Sequence, residues 1–213
     1  MKFFQISLIS LFILNVQELC SQSLKDPVRQ FVRQELPQWK LLPADFEDAI
    51  VLDDFESGGF HYVYFQQTFR GVAVFNGILN VVEPPSGVKR ISGVRFVPNL
   101  AKRVEAQSVK IDAVQALSSA LTHLGIPWSG SPVLISSVNG KGSKRLYQKV
   151  EFEKQGSVEE NIPAELVWTV LEERIELSWN IRIKLKNDWW ELRVSALNGE
   201  VLEKNNWVSH CSF

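Results

Sequence analysis

Apolar and polar positions change their period several times along this chain, and each change marks an element. From residue 26 to 39 the spacing of Val28, Phe31, Val32 and Leu36 is helical, with Pro27 suited to a first turn and Pro37 closing the segment. Residues 40–59 mix Pro43, several acids and Gly58-Gly59, and read as a connector with some local structure. The period then shortens. Residues 61–69 and 72–82 are dense in aromatic and β-favouring types and are separated by Arg70-Gly71, a hairpin signal. A third strand, 88–97, follows the turn Glu83-Pro84-Pro85-Ser86-Gly87 and ends at Pro98.

The clearest helix comes next, over 108–124. Ser108 is its expected N-cap, Ile111, Val114, Leu117, Leu121 and Leu124 share a face, and Gly125 with Pro127 stops it. Strand-like segments follow at 133–138, at 145–152 after the turn Asn139-Gly140-Lys141-Gly142, and at 166–171. Residues 179–185 and 190–194 alternate apolar and polar positions strictly, so each buries one face. Asn198-Gly199 turns the chain into a last strand that starts at Glu200. This order predicts an α+β fold with antiparallel sheets, each packed by a helix.

The N-terminus follows a different logic. Met1-Lys2 precedes an apolar run over residues 3–16, the length and polarity of a signal peptide, with cleavage expected near Cys20-Ser21. That run is shorter than the roughly 20 apolar residues a membrane span needs. Gln17-Glu18-Leu19 suits lipoprotein processing at Cys20 poorly. Secretion is therefore expected, with no membrane attachment after cleavage. The net charge of -1 gives no reason to expect nucleic acid as a partner. Of the two cysteines only Cys211 lies beyond the leader, so it has no internal partner and is available for an intermolecular bridge.

Candidate chemistry is sparse. His61, His123 and His210 lie far apart, and none stands in an HExxH arrangement. His123 near a helix end reads as a dipole partner rather than a ligand. The pairs Asp53-Asp54, Glu159-Glu160 and Glu172-Glu173 read as solvated surface charge, because neighbours on an extended chain point apart. His210 beside Cys211 gives no rigidly held base for a nucleophile. Five of the seven tryptophans fall between Trp168 and Trp207, and their alternation with Ile, Leu and Val favours core roles over a sugar platform. Neither an enzyme nor a cofactor is expected.

One stretch has a more specific character. Phe65-Gln66-Gln67 ends an aromatic strand, Gly71 follows in the turn, and Val74-Phe75-Asn76 opens the next strand. This pattern resembles the FTP module of fungalysin and thermolysin propeptides. Further along, Trp168, Trp189-Trp190, Gly199 and Trp207 resemble the end of the PepSY-like, cystatin-like half of bacterial fungalysin pro-regions. The resemblance implies this division: a signal peptide at 1–21, an N-terminal helix and connector at 22–59, an FTP-like domain at 60–107, a PepSY-like domain at 108–207 and a tail at 208–213. It also implies a pro-region that assists or inhibits a fungalysin-like metallopeptidase catalytic domain, in cis or in trans. Phe65, Gln66, Gln67, Gly71, Val74, Phe75 and Asn76 are then candidate contacts. With no catalytic domain in the 213 residues, the expectation is a truncated precursor; the alternative is a free-standing secreted inhibitor or binding module.

Overall fold

The computed structural model describes residues 27–139, 148–172 and 174–208. The expected signal peptide, the turn at 140–142, Glu173 and the His210-Cys211 pair lie outside the described residues.

Helix α1 (Pro27–Glu35) buries Val28 and Val32 and runs into a 3-10 turn, Leu36–Trp39, at the point where Pro37 withholds an N–H from the α-helical ladder. A short helix α2 (Pro43–Glu47) follows. Strand β1 (Ile50–Ser57) then lies within the stretch expected as connector. Its pattern is almost wholly exposed, so it carries no alternation to reveal it; what forms it is pairing with β2 (Phe60–Phe69) across Gly58-Gly59, both at positive φ. Strands β3 (Val72–Glu83) and β4 (Arg90–Val94) complete the first half, and a one-turn helix α3 (Leu100–Arg103) leaves it.

Helix α4 (Ala113–Leu124) starts later than its periodicity suggested. Asp112, not Ser108, is the N-cap: its Oδ1 accepts from Gln115 N at 2.8 Å while Gln115 Oε1 accepts from Asp112 N at 3.0 Å. Residues before it are held to the sheet instead, since Lys110 N and Ile111 N both donate to Ala196 O. Six strands follow: β5 (Leu134–Asn139), β6 (Gln148–Phe152), β7 (Ile162–Val170), β8 (Ile175–Lys184), β9 (Trp189–Ser195) and β10 (Val201–Asn206).

All ten strands belong to one sheet, where separate antiparallel sheets were expected. The join is short: β3 pairs in parallel with β7 through Ala73 opposite Val167 and Val74 opposite Trp168. Beyond that point β3 pairs with β4, and β7 pairs with β6. Two apolar cores lie against this sheet. One joins Val28, Val32, Leu36 and Phe46 to Val63, Phe65, Leu79 and Val81; the other joins α4 to Trp168, Trp179, Ile181, Leu192 and Val194, and draws in Val72 and Val74 of β3. Val63, Phe65, Gln67 and Phe69 alternate along β2, and Phe69 packs on the α4 core, so both cores sit on the same face of the sheet. The opposite face carries no helix among the described residues and is polar: Gln66 and Asn180 are half-buried and Arg182 exposed, while Glu191 and Arg193 are buried.

Candidate functional site

The residues singled out on β2 and β3 meet at one irregularity. Gln66 pairs with Ile78 and Thr68 with Ala73, so two steps along β2 face five along β3, and three extra residues bulge out. An insertion of odd length has a consequence for packing. Val72 and Val74 face the helices on one side of the bulge, and Leu79 and Val81 face them on the other, although their parity differs. Asn76 takes the left-handed conformation that the bulge requires, with φ 57°. Gly77 is enclosed: a Cβ there would stand 2.9 Å from Val74 Cβ and 3.2 Å from Gln67 Cβ.

Two adjacent glutamines act on opposite faces here, Gln66 on the bulge itself and Gln67 on the segment beneath the helices. Gln66 Nε2 donates to Val74 O at 2.7 Å and to Gly77 O at 3.1 Å, closing the loop over the helix-free face. Gln67 is fully buried beneath the helices. Its Nε2 donates to Val97 O at 3.0 Å and its Oε1 accepts from Val97 N at 2.8 Å, while Asp45 O lies 3.3 Å from Nε2. A primary amide is the one uncharged side chain type that satisfies both a backbone N–H and C=O in this way. Sequence reasoning missed the partner of this arrangement, Asp45, also buried. Its carboxylate accepts from Leu42 N, Asn99 N and Leu100 N at 2.9 to 3.0 Å, capping α2 and α3 together. Pro-x-Asp at a helix start was the available signal.

The remaining predicted residues divide by exposure. Phe65 and Val74 are buried, Gly71 is buried at φ 76°, and Phe75 and Asn76 reach the surface. Phe75 lies over the guanidinium of Arg193 at 4.2 Å, a contact between the two halves that no sequence pattern announced. Arg193 is itself held by Glu203 at 2.8 Å. Beside the bulge, Phe75, Asn76, Gln66 and Ile78 face Lys149, Glu165, Asn180 and Arg182 across a depression of about 250 Å³. Asn180 gives its amide N–H to Glu191 at 3.1 Å, and its Oδ1 is buried with no partner among the described residues.

Trp168 connects to the same place, since its strand neighbour is Val74 and its Nε1 donates to Phe69 O at 2.9 Å. Trp189 opens β9 and Trp207 follows the end of β10, where Trp207 N donates to Trp189 O, and both are exposed. Trp190 is half-buried, with Lys204 at 5.6 Å from its ring. Gly199, at φ 80°, turns β9 into β10 under α4, where a Cβ would stand 3.2 Å from Ser119 Oγ. Trp179, fully buried, donates its indole N–H to Ile111 O. On β1 and β2, exposed Phe55 stacks on Tyr62 at 5.2 Å and on Tyr64 at 5.9 Å. His61 Nε2 lies 2.6 Å from Asp54 Oδ1 and its Nδ1 3.8 Å from Glu83, and this acidic company raises its pKa, the Asp54 hydrogen bond most of all. Among the described residues no group of three or more His, Cys, Asp or Glu side chains is arranged to hold a metal ion, and no helix is long and apolar enough to cross a membrane.

The geometry defines a sheet-borne module whose distinctive residues staple a strand bulge. Residues 47–93, which span β1 to β4 up to Gly93, match the Fungalysin/Thermolysin Propeptide Motif, and this segment of the chain is an FTP domain. The motif is a propeptide one, distinct from a peptidase catalytic domain. No curated protein matches the sequence. Among solved structures, the C-terminal domain of YpeB from Bacillus megaterium is similar at 13% identity and a TM-score of 0.37, over 76% of this chain and 57% of that one. The chain thus spans less than two thirds of that structure's length.

Proposed function

We propose that this chain works as a secreted, non-catalytic pro-region: a rigid β-surface against which a fungalysin-type metallopeptidase catalytic domain folds or docks. The observation that carries this reading is the FTP match over residues 47–93, with Gln66 closing the bulge at its centre and Gln67 tying β2 to Val97 beneath it. In the same reading residues 108–207 are the PepSY-like half, continuing the sheet through β7 to β10. The helix-free face supplies the contact surface, with Phe55, Tyr62 and Tyr64 as an aromatic stripe and Phe75 and Asn76 beside the junction. A module that binds only the native form of its partner stabilises that form by mass action, so folding assistance requires no reactive group of its own.

The test is refolding. Denatured fungalysin-type catalytic domain is diluted into buffer with and without the purified chain, and recovered peptidase activity is measured. A higher yield in proportion to added chain is expected, and Phe75→Ala or Tyr64→Ala lowers that gain while the chain stays folded. An unchanged yield at a several-fold molar excess would remove the proposal. Inhibition of an already folded enzyme, without any gain in yield, supports the free-standing inhibitor instead.

A further inference from the structure

The sheet ends at β1, which among the described residues pairs with β2 alone. Every second residue of an outermost strand turns its N–H and C=O away from its neighbour. The outer side of β1 is therefore an open row of backbone donors and acceptors, and the ligand that matches such a row is another extended chain. Residues 53–57, beyond the register shift between Val51 and Asp53, stay in step with Tyr64 through Phe60. All five are exposed.

The side chains along this row narrow the ligand further. Asp53 and Phe55 share the helix-free face with Tyr64 and Tyr62, and Asp54 and Glu56 share the other with Val63 and His61. Phe55, 39% exposed, is the one apolar side chain among the five. From residue 47 to 69 the chain has five carboxylates and no lysine or arginine, although its net charge is only -1. His61 stands against Asp54 at 2.6 Å, whereas Asp53 and Glu56 have no ion-pair partner among the described residues, Asp53 being engaged only by Asp54 N at 3.0 Å. At the other end of the sheet β10 balances its charge, since Glu203 is held by Arg193 and followed by Lys204. Three acids within residues 53–57 repel a second β1 laid against the first, so this edge is closed to its own copy and open to a cationic strand.

We propose that the outer edge of β1 binds an extended polypeptide segment in which an apolar residue lies between basic ones. The segment adds a further strand antiparallel to β1. Its basic side chains lie opposite Glu56, Asp54 and Asp53, and its apolar side chain lies opposite Phe55. Main-chain hydrogen bonds hold the segment, and the order basic, apolar, basic, basic selects it, because a slip of one residue puts a cation against Phe55. The inference goes beyond the pro-region reading and does not depend on it.

Labelled acetyl-Thr-Lys-Phe-Lys-Lys-Val-amide, which has this order when laid antiparallel, and its analogue with Glu for every Lys are titrated into the purified chain by fluorescence anisotropy. The basic peptide is expected to bind, and the acidic one at least about tenfold more weakly, since three attractive pairs become repulsive. Asp53→Lys combined with Glu56→Lys reverses this preference at a nearly unchanged melting temperature, because neither exposed side chain holds an ion pair in the fold. N-methylation separates strand addition from charge attraction alone. A strand paired on one side uses every second N–H, so methylating one alternate set of peptide bonds abolishes binding and methylating the other weakens it far less. Equal binding of the two peptides, an unreversed preference in the double variant, both methylated sets binding alike, or no binding at millimolar basic peptide each overturns the proposal. A dimer seen by sedimentation that the peptide fails to dissociate overturns it too, because a second copy then holds the edge. Any of these results leaves the refolding test standing, since that test reads recovered enzyme activity through Phe75 and Tyr64.

Discussion

Gln67 carries an unusual share of the local structure for one neutral residue. It is fully buried, and its amide joins the end of β4's loop to the α2 segment through Val97 and Asp45, 30 and 22 residues away in sequence. Leucine has nearly the same volume but leaves Val97 N–H and C=O buried without partners. At about 1–3 kcal/mol for each group stranded, Gln67→Leu is expected to cost about 2–4 kcal/mol, measured by urea denaturation. A loss under about 0.5 kcal/mol would mean that water or a shifted backbone takes over the amide's role. The residue was legible as part of a motif, but its task was not, because both partners are distant in sequence and neither is a side chain that a pattern records. His61 makes a second residue-scale prediction. Asp54 and then Glu83 hold its pKa above the ordinary value of 6.5, so the folded state binds its proton more tightly than the unfolded chain does. Its stabilising effect is full below pH 6.5 and is lost as pH rises through the higher folded value. The melting temperature of His61→Asn should therefore fall below that of the parent at pH 5.5 and approach it at pH 8.5. A pH-independent difference would show that the pairing with Asp54 contributes nothing through charge.

At the scale of elements, the bulge in β3 is what allows one strand to serve two cores. Without its three extra residues, either Val72 and Val74 or Leu79 and Val81 would turn toward the helix-free face. Gly77 is the position most sensitive to this packing. A methyl there meets Val74 Cβ at 2.9 Å and Val74 O at 3.1 Å, both on rigid backbone or at its root. Gly77→Ala is expected to destabilise by about 1–3 kcal/mol, and loss of the Gln66 staple should show as changed amide shifts at Val74 and Asn76. Unchanged shifts with full stability would mean that the bulge relaxes freely. The change of parity between Val72-Val74 and Leu79-Val81 was present in the sequence and was read as one continuous strand. Two other elements were obscured for different reasons. β1 lacks an inward face, so the alternation that identifies strands is missing, and α4's apolar spacing extends back to Ile111, although Ile111 belongs to the sheet edge through Ala196. Strands β8 and β9 were legible because their apolar residues alternate with polar ones, although Glu191, Arg193 and Ser195 of the polar face are buried too, so that face of β9 is not the wet one expected.

For the whole molecule, the deciding feature is how two halves read as separate sheets become one. The parallel contact of β3 and β7 involves two residue pairs, too few to leave any periodic signature. Packing strengthens it: Val72 and Val74 lie in the α4 core, Trp168 donates to Phe69 O, and Phe75 covers Arg193. The first half contributes side chains to the second core, so that core loses part of its interior when the first half is lost, and the first half in turn loses the apolar cover over Val72 and Val74. We therefore expect the chain to unfold as a single cooperative unit rather than as an FTP module and a second domain in succession. Trp168→Ala tests this at the seam. Removing a buried indole costs about 3–5 kcal/mol, and in a cooperative molecule that loss is felt equally far from the substitution. Native-state hydrogen exchange should then show amides of β2 around Val63 and of β9 around Leu192 losing protection by the same free energy. Protection lost at Leu192 but retained at Val63 would mean that the halves are thermodynamically independent, and that the continuous sheet acts as a hinge between them.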